Sequence, residues 1–165
     1  MAKLLSFLAR TPVILFLLVA FILLGASFYF VEQATGGPLL DVQMNGADAL
    51  NRLSAMTAEQ KHMHIVATLT LDTFYPLAYG GLFIGIVARF AKKYRRFLAV
   101  PAFVAVITDF AENIVQSMAL SGSPDMLTAK DFLTTLKFSS VILAAIIALL
   151  VLLVALVKWT QRKRN

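Results

Sequence analysis

The sequence predicts an all-α integral membrane protein: a single domain, residues 1–165, in which four transmembrane helices form an antiparallel bundle with both termini in the cytoplasm. Hydrophobic residues make up 59% of the chain, whereas soluble domains contain only about 45–50%. They fall into four blocks, each at least as long as the roughly 20 residues that cross a bilayer. Lysine and arginine cluster beside these blocks, on one predicted side of the membrane.

The first apolar block, about residues 11–31, follows a short basic start that contains Lys3 and Arg10. A cleaved signal peptide would have an apolar core of only about 7–15 residues. This block is longer and ends in aromatic residues, so we expect an uncleaved transmembrane helix.

A polar loop, residues 32–63, follows the first block. Within it, Leu50, Leu53 and Met56 recur at helical spacing. This spacing fits a short amphipathic helix over about 47–56, resting on the membrane surface, and it also fits an irregular loop.

The second and third blocks cover about residues 65–90 and 97–120. Thr57 followed by Gln60 is a capping-box pattern, so the second helix should begin near Ala58, before the bilayer.

The fourth block covers about residues 132–157. The turn before it can be built in two ways. Either Ser123 caps a helix whose first position is Pro124, or Thr128 and Asp131 form a later capping box.

The charges orient the chain. The N-terminus, the loop 89–96 and the C-terminal tail hold 11 of the 15 Lys and Arg residues and none of the 9 acids. The positive-inside rule therefore places both termini in the cytoplasm, and the pattern suits a bacterial inner membrane. The net charge of +6 reflects this orientation, so we do not expect nucleic-acid binding. The chain has no cysteine, which excludes disulfides and thiolate sites.

Three of the predicted helices carry polar residues along one face. The second helix has a stripe that includes Asp72, Tyr75 and Tyr79, and the fourth has one that includes Lys137. Steps of three and four residues keep each stripe on one face, so we expect all of them to point inward. The stripe of the third helix consists of Asp109, Glu112, Asn113 and Gln116.

Two features of the second helix affect its backbone. Pro76 cannot donate a hydrogen bond to the Asp72 carbonyl, so a kink should leave that acceptor free beside the carboxylate. Gly81 and Gly85, four residues apart, should allow another helix to approach closely.

The ionisable residues of the three stripes should lie at one depth. At about 1.5 Å per residue, they fall roughly 8–16 Å below the outer membrane boundary. We therefore expect a polar pocket in the outer half of the bilayer. Full ionisation would leave three negative charges and one positive charge, so the pocket should hold a proton, a cation or a cationic ligand group.

A membrane-embedded enzyme is one function that fits this pocket. One carboxyl would act as general acid and an ionised neighbour as base, with Asp72 and Glu112 as the favoured pair. Asp109 lies beside them, and Lys137 could stabilise developing negative charge or a phosphate. The ligand, a lipid or amphiphile entering sideways, would be bound by Asn113, Tyr75, Tyr79 and Gln116.

Two other functions stay open. A structural or partner-binding subunit would use the polar residues as an internal salt-bridge network, with Lys137 paired to Asp109 or Asp72. Translocation of a proton, ion or solute would need an oligomer, because the inner half of the predicted bundle is apolar. The expected partners are membrane lipids, a small-molecule or lipid ligand, a second copy or another membrane protein. No motif specifies a cofactor or substrate.

No metal site is predicted. Carboxylate and amide groups would suit Mg²⁺ or Ca²⁺ rather than zinc, but the nearby Lys137 argues against a metal cation. The groups in question are Asp72, Asp109, Glu112 and Asn113. His62 and His64 point in different directions on a helix, so they cannot share one ion, and we expect His64 at the membrane interface.

Overall fold

The structure is a computed structural model that describes residues 1–164. The chain is 87% helical, and no strand occurs in the described part. Four helical segments are long and apolar enough to cross a membrane, as the sequence predicts. They are Thr11–Thr35, Ala58–Phe90, Arg95–Leu120 and Pro124–Lys163.

The helices follow one another with short connections. In chain order they are α1 (Ala2–Leu8), α2 (Thr11–Thr35), α3 (Gly46–Ala55), α4 (Ala58–Leu69), α5 (Leu71–Phe90), α6 (Arg95–Leu98), α7 (Val100–Leu120) and α8 (Lys130–Arg164). Two 3₁₀ turns, Leu40–Val42 and Pro124–Ala129, lie in the connections. We call the end of the bundle that carries residues 36–57 and 121–129 the loop end, and the opposite end the terminal end.

The second apolar segment begins where the capping box predicts. The Thr57 side chain accepts from the Gln60 backbone N–H, and the Gln60 side chain accepts from the Thr57 N–H. The break in this segment, however, lies at Thr70, between α4 and α5, while Pro76 lies inside α5. The Thr70 hydroxyl donates to the Val66 carbonyl at 2.6 Å, a local bond that competes with regular helix.

The amphipathic spacing in the first loop corresponds to a helix, α3. Asn45 caps it, accepting from the Asp48 N–H at 2.9 Å. Leu53 and Met56 are buried against the bundle, while Leu50 is exposed. An apolar cluster therefore fills the loop end, formed by Leu40, Ala49, Leu53, Met56, Val115, Ala119, Leu120 and Leu127.

In the turn before the fourth segment, Pro124 takes the first helical position as predicted, but the Ser123 side chain makes no capping hydrogen bond. Pro124 begins a 3₁₀ turn, and α8 begins at Lys130. The alternative capping box of Thr128 and Asp131 does not form, since the Thr128 hydroxyl donates to the Asp125 carbonyl. The Asp131 carboxylate accepts from the Gly46 N–H at 2.6 Å and so holds the first loop against the start of α8.

Glycines on α5 allow the N-terminal helices to approach closely. A Cβ on Gly85 would lie 2.6 Å from the Leu8 carbonyl oxygen, and one on Gly81 would lie 3.1 Å from a Leu17 methyl. The predicted close contact at these glycines is confirmed. Beside it, a second apolar cluster fills the terminal end, formed by Leu5, Ile84, Val87, Ala88, Ala99, Ala102 and Ala144.

We expect Gly85→Ala to lower the free energy of unfolding in detergent by about 1–3 kcal/mol, because the new methyl group overpacks a backbone contact. Gly25→Ala is the matched control, since the nearest atom to its Cβ would be in Tyr75 at 3.5 Å. The control should be neutral or stabilising by up to about 1 kcal/mol, from helix propensity alone. Equal destabilisation by both changes would contradict the close contact.

Candidate functional site

The polar stripes of α4, α5, α7 and α8 face the interior, as the helical spacing predicts. Glu112 and Gln116 have no exposed surface. Asp72, Asp109 and Asn113 are at most 5% exposed. The other buried members are His64, Thr68, Tyr79, Thr134 and Lys137. Three helical segments therefore bring polar groups to one region near the loop end.

Glu112 is the centre of a fully buried ionic network between α7 and α8. The Lys130 ammonium pairs with Oε1 of Glu112, and the Thr134 hydroxyl donates to the same oxygen at 2.6 Å. The Lys137 ammonium lies 2.6 Å from Oε2 of Glu112. Oε1 thus accepts hydrogen bonds, while Oε2 has an ion contact with Lys137 and no regular hydrogen bond among the described residues. Glu112 is therefore held between two ammonium groups.

Lys130 belongs to this network although it was not predicted as a site residue, because it lies in the loop before the predicted fourth helix. Its side chain has no exposed surface and also contacts the Thr134 hydroxyl at 3.1 Å. A signal was present: Lys130, Thr134 and Lys137 are separated by four and three residues. The stripe of the fourth helix therefore starts one turn earlier than predicted.

Asp41 is the second residue that sequence reasoning did not place in the site. It belongs to the 3₁₀ turn of the first loop, and its carboxylate pairs with the Lys137 ammonium. Lys137 therefore pairs with Asp41 and Glu112 and not with Asp109 or Asp72, the partners expected for a structural subunit. No spacing rule connects a loop residue to a helix so far along the chain, so the sequence gives no signal for this contact.

His64 positions the loop that carries Asp41. The Leu40 backbone N–H donates to Nε2 of His64 at 2.9 Å. Nε2 is therefore the acceptor, and Nδ1 carries the proton that faces the Thr68 hydroxyl at 3.2 Å. The ring is 1% exposed, so His64 packs inside the protein and holds the loop in place, while its position at the membrane interface stays a prediction.

Three carboxylates meet beside this network. Asp41, Asp72 and Asp109 each place an oxygen within 4.8 Å of the others. The Tyr79 hydroxyl donates to Oδ2 of Asp109 at 2.7 Å. Oδ1 of Asp109 is buried and has no donor among the described residues. One carboxylate oxygen is therefore available for a hydrogen atom or a cation that the chain itself does not supply.

A cavity of about 160 Å³ opens at these carboxylates. Its polar end is formed by Asp41, Asp109 and Lys137. Its remaining walls are aromatic and aliphatic side chains: Phe21, Tyr75, Tyr79, Phe83, Phe138 and Val141. The Tyr75 ring stacks on Phe21 with a centroid distance of 5.4 Å and meets Tyr79 edge-on at 5.6 Å. The cavity therefore combines negative charge with aromatic faces.

The two amide residues of the predicted ligand-binding set do not line this cavity. Asn113 donates to the Asp72 carbonyl at 2.9 Å, the acceptor that Pro76 leaves free, so the predicted free carbonyl exists and has a partner. Gln116 is buried, and neither of its amide atoms finds a hydrogen-bond partner in residues 1–164. Tyr75 and Tyr79 are the members of that set that reach the cavity.

Charge is unevenly compensated across the site. If all groups ionise, four carboxylates and two lysines leave a net charge of −2. Among the described residues, the lysines pair with Glu112 and Asp41 and form no salt bridge with Asp72 or Asp109. The uncompensated charge therefore falls on Asp109, which lines the cavity, and on Asp72 beside it.

Comparisons with known proteins add no assignment. No protein-family model matches the chain, and no curated protein or solved structure is significantly similar to it.

We expect Glu112→Gln and Asp109→Asn, one helical turn apart on α7, to act differently on stability. Glu112→Gln leaves the buried Lys130 without a carboxylate and Lys137 with Asp41 alone, and it should cost about 3–5 kcal/mol of unfolding free energy. Asp109→Asn removes a charge that no lysine compensates, so its effect should stay within about 1 kcal/mol or be stabilising.

Unfolding in detergent, compared with the parent chain, measures both changes. Adding Lys130→Met to Glu112→Gln should recover part of the loss, because it removes the one lysine that is left without a carboxylate among the described residues. Equal losses for Glu112→Gln and Asp109→Asn would show that Asp109 belongs to the same structural network.

Proposed function

We propose that the chain is an integral protein of a bacterial inner membrane, an antiparallel bundle of four transmembrane helices with both termini in the cytoplasm. The four apolar helical segments support the membrane location. The clustering of Lys and Arg at the terminal end supports the orientation, because cytoplasmic segments carry an excess of these residues. In this orientation, the acidic cavity lies in the outer half of the bilayer.

We further propose that the acidic cavity binds the cationic group of a small or lipid-like ligand. The observation that carries this proposal is a buried pair of aspartates that form no salt bridge, Asp72 and Asp109, of which Asp109 lines the charged end of an aromatic cavity and Asp72 lies beside it. A buried ionised carboxylate without a partner is costly, and a bound cation removes that cost. Purely structural networks pair their charges, as the Glu112 half of this site does.

An organic ammonium group fits the cavity better than a metal ion. Aromatic faces such as those of Tyr75 and Tyr79 attract ammonium groups through their ring electrons. Mg²⁺ and Ca²⁺ require about six oxygen ligands, and the positive charge of Lys137 lies at the same end of the cavity. The three aspartate oxygens within 4.8 Å of one another are nevertheless the set that a divalent cation would use.

If the site performs chemistry on its ligand, the acid–base pair is Asp72 and Asp109 rather than Asp72 and Glu112. Each oxygen of Glu112 contacts a lysine ammonium group, which holds this carboxylate in its ionised form. Asp109 keeps one oxygen free, and the Tyr79 hydroxyl on its other oxygen could relay a proton.

A binding cavity is better supported than a transport pathway. The apolar cluster at the terminal end, which includes Leu5, Val87 and Ala102, lies between the cavity and that end of the bundle. A hydrated ion would have to cross this cluster without polar partners, and the cost of doing so is high.

The test is calorimetric titration of the protein in nanodiscs of zwitterionic lipid. Tetramethylammonium and butylammonium are the organic probes, Mg²⁺ and Ca²⁺ are the metal probes, and ionic strength is held constant. We expect an organic ammonium to bind, and Asp72→Asn with Asp109→Asn to weaken binding at least tenfold.

The matched control is Glu59→Gln with Asp125→Asn, which removes the same charge from exposed positions. Equal weakening in both double variants would point to diffuse attraction and overturn the proposal. Binding of the metal probes alone would replace it with a divalent-cation site. The absence of binding by every probe would favour the structural subunit, with protons on the two aspartates.

A further inference from the structure

A second charged cavity lies at the terminal end, far from the acidic site. It measures about 650 Å³ and is lined by three cationic side chains, Arg89, Lys92 and Arg95, together with Ser6 and Phe90. Two separate helices contribute to its walls, since Ser6 belongs to α1 and Arg95 to α6. The cavity is therefore a recess between separate helices and not a stretch of solvated charge on one helix.

The cations of this recess have no acidic partner nearby in the chain. Residues 73–108 contain no Asp or Glu, and neither do residues 1–31. Arg89 is held in place by one hydrogen bond, from Nη1 to the Ala9 carbonyl at 3.0 Å, and its guanidinium lies 5.5 Å from the Phe90 ring. A guanidinium has five N–H donors, so most of them stay free for an anion.

An apolar groove adjoins the basic recess. It measures about 350 Å³ and shares the Phe90 side chain with the recess. Its other walls come from Ala91 at the end of α5, from Leu98 of α6 and from α8. The α8 residues are Ile147, Leu150, Val151, Val154 and Lys158, of which only Lys158 is charged. The surface thus changes from basic to apolar across a single side chain.

We propose that this recess and groove together form a binding site for an anionic phospholipid. The phosphate-bearing head group occupies the basic recess, and one acyl chain follows the groove along α8. Basic pockets between helices at the cytoplasmic face are suited to anionic head groups, and each cation near the surface strengthens the attraction.

The groove is what favours a lipid over a soluble anion. A free phosphate or a nucleotide would use the cations of the recess and leave the apolar groove empty. An acyl chain fills the groove in the same direction as the neighbouring hydrocarbon, because α8 is one of the membrane-spanning segments. The proposed lipid site shares no lining residue with the acidic cavity, so the two proposals can be tested independently.

The test compares two double variants of one loop. Lys92→Gln with Arg95→Gln removes two cations from the recess, while Lys93→Gln with Arg96→Gln removes two cations that do not line it. Both double variants lose two positive charges, so any difference between them cannot come from long-range attraction to an anionic lipid. Native mass spectrometry of the detergent-solubilised protein measures the dissociation constant for the first dioleoyl-phosphatidylglycerol bound, with dioleoyl-phosphatidylcholine as the neutral lipid.

We expect the parent protein to prefer phosphatidylglycerol, and the recess variant to lose roughly tenfold in affinity for it. The control variant should change less than twofold. Equal losses in both variants, or no preference over phosphatidylcholine, would overturn the proposal.

Two further measurements separate a lipid from a soluble anion. Val151→Phe narrows the groove and should weaken phosphatidylglycerol binding severalfold, while Leu149→Phe, an exposed position outside the groove, should not. Glycerol 3-phosphate at millimolar concentration should fail to displace the lipid. Displacement by glycerol 3-phosphate, with no effect of Val151→Phe, would show a site for a soluble phosphate and contradict the lipid assignment.

Discussion

The arrangement of the site depends on one ammonium group, that of Lys137. It joins Asp41, in the first loop, to Glu112, in the middle of α7, while being itself part of α8. A charge buried among helices is costly unless it is paired, and here two carboxylates share the compensation. The same contact therefore fixes the position of the loop, the register of α7 against α8, and the charged end of the cavity.

The site divides into a compensated half and an uncompensated half, and this division carries the functional argument. Around Glu112, each carboxylate oxygen contacts a lysine ammonium group, and Oε1 also accepts from the Thr134 hydroxyl. Around Asp72 and Asp109, the donors are one tyrosine hydroxyl and no lysine among the described residues. The salt bridges around Glu112 hold the helix backbones in place. They thereby keep Asp72 and Asp109 close together, although burying two unpaired carboxylates destabilises the fold. In the proposed function, a ligand that brings positive charge compensates Asp72 and Asp109.

The part of the site that was predictable from sequence is the part set by helical periodicity. Steps of three and four residues place Asp109 and Glu112 on one inward face, and Pro76 predicts the free carbonyl that Asn113 satisfies. Asp41 was not predictable, because it reaches Lys137 through the path of a loop. The role of His64 was hidden for the same reason, since its partner is the backbone of that loop.

The sequence by itself determined the helical class, the four apolar segments, and the inward stripes. Each of these follows from local chemistry: segment length against bilayer thickness, and side-chain spacing against the helical turn. Only the tertiary structure decided which charges are paired, which remain free, and where the basic recess meets the apolar groove. Pairing depends on distances of a few ångströms between residues far apart in the chain, and no single-helix pattern encodes such distances.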